Sequence, residues 1–138
     1  MDTGPIVAYW VASDELHDRA QRLWKRAFEG GARFATTAMV LTEATHLVAR
    51  RGSADAACRL LKAVLTSPRW TVFPVENELM LRAADRVGEP LGGTPLSWTD
   101  AVSFEVVRLT GGEPVFTFDR RHFDAGGFRI YGDADNPG

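Results

Sequence analysis

Short predicted strands alternate with helical patterns along this chain, and this alternation constrains its fold more than any other feature. Residues 33–36, 70–74 and 115–118 are predicted strands, and residues 128–131 are predicted to be an edge strand. Apolar residues at helical spacing fill the segments between them, and Gly, Ser and Pro residues mark the segment ends. Strands that alternate with helices form a mostly parallel sheet covered on both faces. We therefore predict an α/β fold.

Six helices are predicted from apolar spacing and from capping residues at the segment starts. They begin near Thr3, Asp14, Thr37, Ser53, Asn77 and Ser97. Thr3 is the predicted cap of the first helix, and Pro5 suits its first turn. The third and fourth helices are joined at Gly52-Ser53, which predicts an αα-hairpin that either lies against the sheet or contacts a partner. Residues 88–95 are predicted to be a Gly- and Pro-rich loop.

The length of 138 residues suits one domain, 1–138, in which residues 132–138 are a loose polar tail. No apolar run is long enough to cross a bilayer, and Asp2 follows Met1 without the basic region of a signal peptide. The single Cys58 excludes an internal disulfide and a metal site built from cysteines. We predict a cytoplasmic protein. Its net charge of −2 provides no overall attraction for nucleic acid.

Four acidic residues lie at predicted element ends or on an inward helix face. Asp119 ends the strand 115–118, Asp100 lies at a helix start, Asp2 lies at the first junction, and Glu43 falls in the apolar stripe of its helix. Carboxylates that converge repel one another, and a divalent cation relieves that repulsion. Oxygen ligands without cysteine or histidine suit Mg²⁺ or Mn²⁺. This pattern indicates metal-assisted phosphoryl transfer.

Each acid also has a purely structural interpretation. Ser97 and Asp100 fit a capping box, in which the Asp100 carboxylate bonds back to the backbone at the helix start. Glu43 can pair with His46 or Arg50 one turn further along its helix. Asp119 is then a solvated turn residue, and Asp2 is a charged residue at the chain terminus. The joint arrangement of four acids favours the metal site over four separate coincidences.

Four segments, taken in order, resemble the PIN-domain pattern. These segments are 2–8, 37–43, 96–101 and 115–123. The resemblance implies a three-layer α/β/α sandwich with a mostly parallel central sheet. The small single-domain form is similar to VapC-type toxins, which implies an endoribonuclease that depends on Mg²⁺ or Mn²⁺. It also implies a homodimer and a cognate antitoxin that blocks the acidic site.

By position, the resemblance implies a metal-binding and catalytic cluster of acids. The cluster consists of Asp2, Glu43, Asp100 and Asp119. Thr117, two residues before the last acid, is expected to hydrogen-bond a ligand carboxylate. Arg120 and Arg121, with His122 beside them, are expected to contact RNA phosphates, although a solvated basic turn is the simpler interpretation. Asp124 is a further acid of lower rank.

The start of the chain departs from the family pattern, in which a strand of several residues leads into the first acid. Here Met1 immediately precedes Asp2. Either native residues precede Met1, or the first strand is nearly absent and Asp2 is held loosely. Both expectations bear on the activity of the chain.

Three other function classes remain open at the level of sequence. Asp2-Thr3-Gly4 matches the aspartic-protease tripeptide, but that fold is all-β and the helical periodicity argues against it. A metal-dependent nuclease or phosphatase could act on DNA or another phosphate substrate. A catalytically silent PIN-like module could keep the sheet and bind a partner.

Overall fold

The structure is a computed structural model, and it describes residues 1–132. The chain forms two compact units, Met1–Val72 and Phe73–Gly138, which are described in turn. The single domain 1–138 stays a prediction, and the predicted tail lies outside the described residues apart from Gly132. No helix within residues 1–132 is long and apolar enough to cross a membrane.

The first unit contains four helices and two short strands. They are α1 (Thr3–Trp10), α2 (His17–Glu29), β1 (Phe34–Thr37), α3 (Ala38–Arg51), α4 (Ala54–Thr66) and β2 (Trp70–Phe73). β1 and β2 pair in a two-stranded sheet. At the start of β1, the Phe34 N–H donates a hydrogen bond to the Arg69 carbonyl, just before β2, at 2.8 Å. Helix α1 packs against α2 and α3, and α3 packs against α4. The strands and helices predicted in this half of the sequence are therefore all present.

Side-chain caps explain where three of these helices begin. Thr37 and Ser53 accept hydrogen bonds from backbone N–H groups three residues on, at 3.2 and 3.0 Å, and so cap α3 and α4. The prediction of Thr3 as the cap of α1 is wrong. Asp2 is the cap, and its Oδ1 accepts from the Thr3 N–H at 2.7 Å. A carboxylate suits this position because its charge is favoured at the positive end of the helix dipole.

Aromatic side chains fill the core of the first unit around Trp24, which is 4% exposed. Its ring stacks on Tyr9 at 4.6 Å between centroids and lies 5.6 Å from both Phe34 and Trp70. The indole N–H donates to the Pro5 carbonyl at 3.3 Å. The cluster therefore joins α1 and α2 to both strands of the sheet, because large rings bury much apolar area and tolerate offset stacking.

Up to residue 132, the second unit contains three helices and a β-hairpin. They are α5 (Asn77–Ala84), β3 (Pro90–Leu91), β4 (Thr94–Pro95), α6 (Trp98–Thr110) and α7 (Arg120–Ala125). β3 and β4 are antiparallel, with Pro90 opposite Pro95 and Leu91 opposite Thr94. Helix α5 packs against α6, and Ser97 caps α6 by accepting from the Asp100 N–H at 3.1 Å.

The structure corrects three predictions in this unit. Residues 88–95 hold the hairpin and are not simply a loop, because Gly92 and Gly93 both adopt positive φ and form a two-residue turn. The predicted strands 115–118 and 128–131 reduce to one parallel bridge between Val115 and Ile130, although Val115 is buried as predicted. Helix α7 was not predicted, since six residues carry too little periodicity to show in sequence.

Three phenylalanines fix the short helix α7 in place. The Phe104 ring of α6 lies 5.0 Å from Phe123 and 4.7 Å from Phe128, measured between centroids. Gly126 lies so close to this cluster that a Cβ atom there would be 2.9 Å from both Phe104 and Phe128. Only glycine fits at that point without a shift of the rings. The start of α7, which carries the candidate site, is therefore set by the core beneath it.

Candidate active site

Two of the predicted acids meet at one histidine in the second unit. His122 of α7 places Nδ1 3.1 Å from Oδ2 of Asp100 and 3.4 Å from Oδ2 of Asp119. Ionised carboxylates only accept hydrogen bonds, so Nδ1 carries the hydrogen that faces them. His122 is 6% exposed and the Asp100 side chain is 18% exposed, whereas the Asp119 side chain, the more distant of the two acids, is 39% exposed.

The contacts of Asp100 argue against its capping-box interpretation. Ser97 does cap α6, but the Asp100 carboxylate is directed at His122 and completes no capping box in the described part of the chain. Asp119 stands at the start of α7 without capping it. Both carboxylates are thus available for a role other than helix capping.

The second nitrogen of His122 is held by the β3–β4 hairpin. Thr94 in β4 places its hydroxyl oxygen 2.7 Å from His122 Nε2. The hydroxyl can donate or accept, so it satisfies this nitrogen in either protonation state. The hairpin also touches the backbone of α7, because a Cβ at Gly92 would lie 2.5 Å from the Arg121 carbonyl oxygen. The hairpin and the start of α7 are thus closely packed.

Asp119 has two further neighbours. The Thr117 hydroxyl accepts a hydrogen bond from the Asp119 backbone N–H at 3.0 Å, and Thr117 is 2% exposed. Its bond to the backbone fixes the turn that enters α7, and the predicted bond of Thr117 to a ligand carboxylate stays a prediction. Arg121 Nε lies 3.7 Å from Asp119 Oδ1. This arginine balances part of the negative charge of the site.

Arg120 and Asp124 form a pair on the outer side of α7. Their side chains approach to 3.4 Å and are about half exposed. Such surface pairs are worth roughly 0–1 kcal/mol, so a phosphate group can replace the carboxylate at little cost. The Asp124 carboxylate is therefore paired with Arg120, one helical turn earlier.

Asp2 of the first unit is held firmly, and the expectation of a loose first acid is wrong. It is 7% exposed and caps α1. The Met1 amino group donates to the Ala35 carbonyl, and the Thr36 hydroxyl donates to the Met1 carbonyl at 3.0 Å. Burial lowers the pKa of the Met1 amino group to about 6, although the Asp2 carboxylate acts in the opposite direction.

Glu43 lies on the exposed face of α3, so its predicted place in the buried stripe is wrong. The buried residues of this helix are Val40, Leu41, Ala44 and Val48. Glu43 follows Val40 by three residues, which turns it about 60° away from Val40 on the side opposite Leu41. Its side chain forms no hydrogen bond or ion pair with any of residues 1–132, including His46 and Arg50. Its carboxylate is exposed to solvent.

The second unit offers a donor set that fits Mg²⁺ in chemistry and number. Among residues 1–132 no three His, Cys, Asp or Glu side chains are grouped closely enough to hold a metal ion. Mg²⁺, however, usually takes one or two protein carboxylates and keeps several waters. Asp100 and Asp119 form such a pair, because one N–H contacts both. The grouping of all four acids stays a prediction.

His122 and Thr94 were missed as site residues. The sequence placed His122 beside the site only as a possible neighbour of RNA phosphates, not as a partner of the acids, and it placed Thr94 in a loop. Two signals were present. His122 follows Asp119 by three residues, which are neighbours on a helix, and Gly92-Gly93 is a turn sequence typical of hairpins.

Residues 1–128 match the family model of the PIN domain, and the chain belongs to this family. No curated protein matches the sequence. Among solved structures, the chain is similar to VapC20 of Mycobacterium tuberculosis, described as a sarcin-ricin loop cleaving toxin. The two are 30% identical with a TM-score of 0.78, over 92% of this chain and 93% of VapC20.

These similarities confirm the predicted α/β sandwich with a parallel sheet and the VapC type of PIN-domain toxin. The chain is accordingly an RNA-cleaving nuclease, a hydrolase. PIN nucleases generally depend on a divalent metal, and VapC toxins act on RNA and pair with antitoxin proteins. The aspartic-protease alternative is excluded, because the chain is rich in helices.

Proposed function

We propose that the chain is an endoribonuclease toxin that uses Mg²⁺ or Mn²⁺. The observation that carries this proposal is the convergence of Asp100 and Asp119 on the buried N–H of His122. Two carboxylates directed at one point repel each other, and a positive charge between them lowers the energy of the pair. A divalent cation supplies that charge more strongly than a single N–H.

The proposed metal-binding and catalytic residues are Asp2, Glu43, Asp100 and Asp119. Asp100 and Asp119 would hold the ion, which supplies charge neutralisation and Lewis acidity at a phosphate when bound. Glu43 is suited to a shared role because its carboxylate is exposed and unpaired within residues 1–132. Asp2 is suited because its cap to α1 fixes its position. Asp124 ranks lower because it pairs with Arg120.

Arg120 and Arg121 are the proposed contacts to RNA phosphates. Their side chains are 45% and 66% exposed, and each pairs with an acid at 3.4 Å or more. We expect Arg121→Gln to raise the KM for RNA and to reduce the salt slope of binding by about one phosphate contact. Arg129→Gln is the matched control, since Arg129 is also exposed and paired, to Glu113. Equal effects of the two substitutions would contradict this assignment.

A cognate antitoxin, a homodimer and a cytoplasmic location belong to the same proposal. The antitoxin is expected to cover the acidic site, because a blocked carboxylate pair cannot take up metal or RNA. Cleavage should therefore stop on addition of the antitoxin, and light scattering should give twice the mass of one chain. A monomer that cleaves RNA at full rate would remove the dimer from the proposal.

The test is RNA cleavage with and without Mg²⁺ or Mn²⁺, beside Asp100→Asn. A hairpin with the sarcin-ricin loop sequence is the first substrate, because VapC20 is described as cleaving that loop. A hairpin with a scrambled loop, single-stranded DNA and a phosphomonoester serve as comparisons. Asparagine keeps the size and shape of the side chain and removes its charge, and Ser97 still caps α6. We expect at least about a 100-fold loss, since partners outside the ligand shell already cost 10–100-fold.

Asp85→Asn is the matched control, because Asp85 is an exposed acid at the end of α5 in the same unit. It should leave cleavage unchanged. Full cleavage in excess chelator would refute metal dependence, and full activity of Asp100→Asn would refute the site. Cleavage of the DNA or the phosphomonoester alone would favour another phosphate substrate, and no cleavage with no metal binding would favour a silent binding module.

A further inference from the structure

We propose that His122 and Thr94 are positioning residues that connect the β3–β4 hairpin to the carboxylate pair and set this pair for a divalent cation. The inference rests on the proposed function, because it concerns the metal that this function requires. All the residues involved belong to the second unit. Neither residue is assigned to metal or RNA itself.

The first step is the contact between His122 and the two acids. Asp119 is three residues before His122 in the same turn, whereas Asp100 belongs to α6. One imidazole N–H therefore joins two helices through their carboxylates. Without that donor the two like charges would repel and turn apart, since the Asp119 side chain is 39% exposed and has room to move. Asp100 could then turn back to the start of its own helix.

The second step is the contact between His122 and the hairpin. An imidazole ring rotates through a broad range about χ2 unless its nitrogens are held. Thr94 holds Nε2 at 2.7 Å while the acids hold Nδ1, so the ring has partners at both nitrogens. The ring plane, and with it the direction of the Nδ1–H bond, is thereby fixed.

The third step is the support of the hairpin itself. Gly92 is in contact with the Arg121 backbone, the residue directly before His122. Leu91 pairs with Thr94 across the two-residue turn, which fixes the register of the threonine. The hairpin thus reaches His122 by backbone packing and by one hydroxyl. The two contacts are made with adjacent residues of α7, Arg121 and His122.

Outer contacts of this kind orient ligating carboxylates, and their loss commonly costs 10–100-fold in metal affinity. Thr94→Val keeps the volume and shape of the side chain and removes the hydroxyl. We expect it to weaken Mn²⁺ binding by about 10-fold in calorimetry, and we expect Thr94→Ser to restore most of the affinity. Thr66→Val is the matched control, because its hydroxyl donates to the Lys62 carbonyl of its own helix.

A double-substitution cycle tests whether Thr94 acts through His122. His122→Asn can keep an N–H near the position of Nδ1 but has no atom in place of Nε2. In that background Thr94→Val should have no further effect on Mn²⁺ affinity, since coupled residues are not additive. An equal 10-fold loss in both backgrounds would show that Thr94 does not act through His122 and would overturn the inference. If His122→Asn fails to fold, the comparison of Thr94→Val with Thr94→Ser carries the test.

Nitrogen-15 NMR of the metal-free protein gives a readout independent of activity. We expect the His122 Nδ1 to carry a hydrogen, and we expect Thr94→Val to shift the Nε2 resonance. A bare Nδ1 would overturn the inference, because it could donate to neither carboxylate. A merely structural threonine would alter unfolding without changing Mn²⁺ affinity, and that result would overturn it as well.

The outcomes separate this inference from the function on which it rests. Wild-type protein that binds no Mn²⁺ and cleaves no RNA would refute the proposed function. It would also refute the role of His122 and Thr94 in positioning the carboxylates for a metal. Wild-type protein that binds Mn²⁺ and cleaves RNA, with Thr94→Val unchanged in both, would refute the inference alone. Circular dichroism and urea unfolding of each variant show whether the fold is retained.

Discussion

Gly92 and its neighbour Gly93 provide a sharp test of how the hairpin is seated. Both have positive φ, 59° and 88°, so alanine at either position pays for a left-handed backbone. The positions differ in their surroundings. A Cβ at Gly92 would lie 2.5 Å from the Arg121 carbonyl oxygen and 2.7 Å from its carbonyl carbon, whereas nothing lies within 4 Å of a Cβ at Gly93.

The difference in stability follows from these distances. Left-handed backbone costs alanine about 1–2 kcal/mol, and the smaller entropy of the unfolded chain returns about 0.4–1 kcal/mol. Gly93→Ala should therefore destabilise by about 1 kcal/mol. Gly92→Ala must also move the hairpin or α7, because the obstructing atoms are backbone, and such overpacking costs about 1–3 kcal/mol more. We expect a total near 2–4 kcal/mol.

Urea unfolding followed by tryptophan fluorescence and circular dichroism measures both variants under identical conditions. We expect Gly92→Ala to be the less stable by at least about 1 kcal/mol and to weaken Mn²⁺ binding, because Thr94 moves with the hairpin. Gly93→Ala should leave Mn²⁺ binding unchanged. Equal unfolding free energies for the two variants would refute the close packing of the hairpin against α7.

Three further predictions concern the core, a helix cap and the metal. Leu60→Ala on α4 should lower the free energy of unfolding in urea by about 2–5 kcal/mol, because Leu60 is fully buried. Leu65→Ala on the same helix should change that free energy by less than about 0.5 kcal/mol, because Leu65 is 64% exposed. Ser97→Ala should cost about 1 kcal/mol through loss of the α6 cap, and Ser97→Asp should restore it. Mn²⁺ at about 100 times its Kd should stabilise the fold by about 2.7 kcal/mol, and excess chelator should abolish that gain.

Local signals were enough to predict the six longer helices, α1 to α6. Thr37, Ser53 and Ser97 cap the helices that were expected to begin there, because a hydroxyl that accepts from the first turn is a contact within a few residues. Asp100 was also expected at a helix start and lies in the first turn of α6, whereas Asp119 was expected at a strand end and lies at the start of α7. These features depend on short stretches of sequence, so a single sequence contains them.

Features that depend on distant contacts were not predicted. The side of α3 on which Glu43 lies depends on which residues its neighbours bury, and the apolar pattern alone placed it wrongly. The strand 115–118 was expected from its composition, yet Val115 alone is bridged there among the described residues. The pairing of Thr94 with His122 joins residues 28 positions apart, so no spacing rule could indicate it.

Because the Glu43 side chain is exposed and unpaired among the described residues, the four acids differ in how much their replacement affects stability. Replacing Asp2 removes a helix cap, which commonly costs about 1 kcal/mol, whereas replacing Glu43 disturbs no described hydrogen bond or ion pair. Stability therefore places little constraint on Glu43. Under the catalytic role proposed for it, a lineage that loses the need for catalysis can replace this acid in one substitution and keep a folded protein.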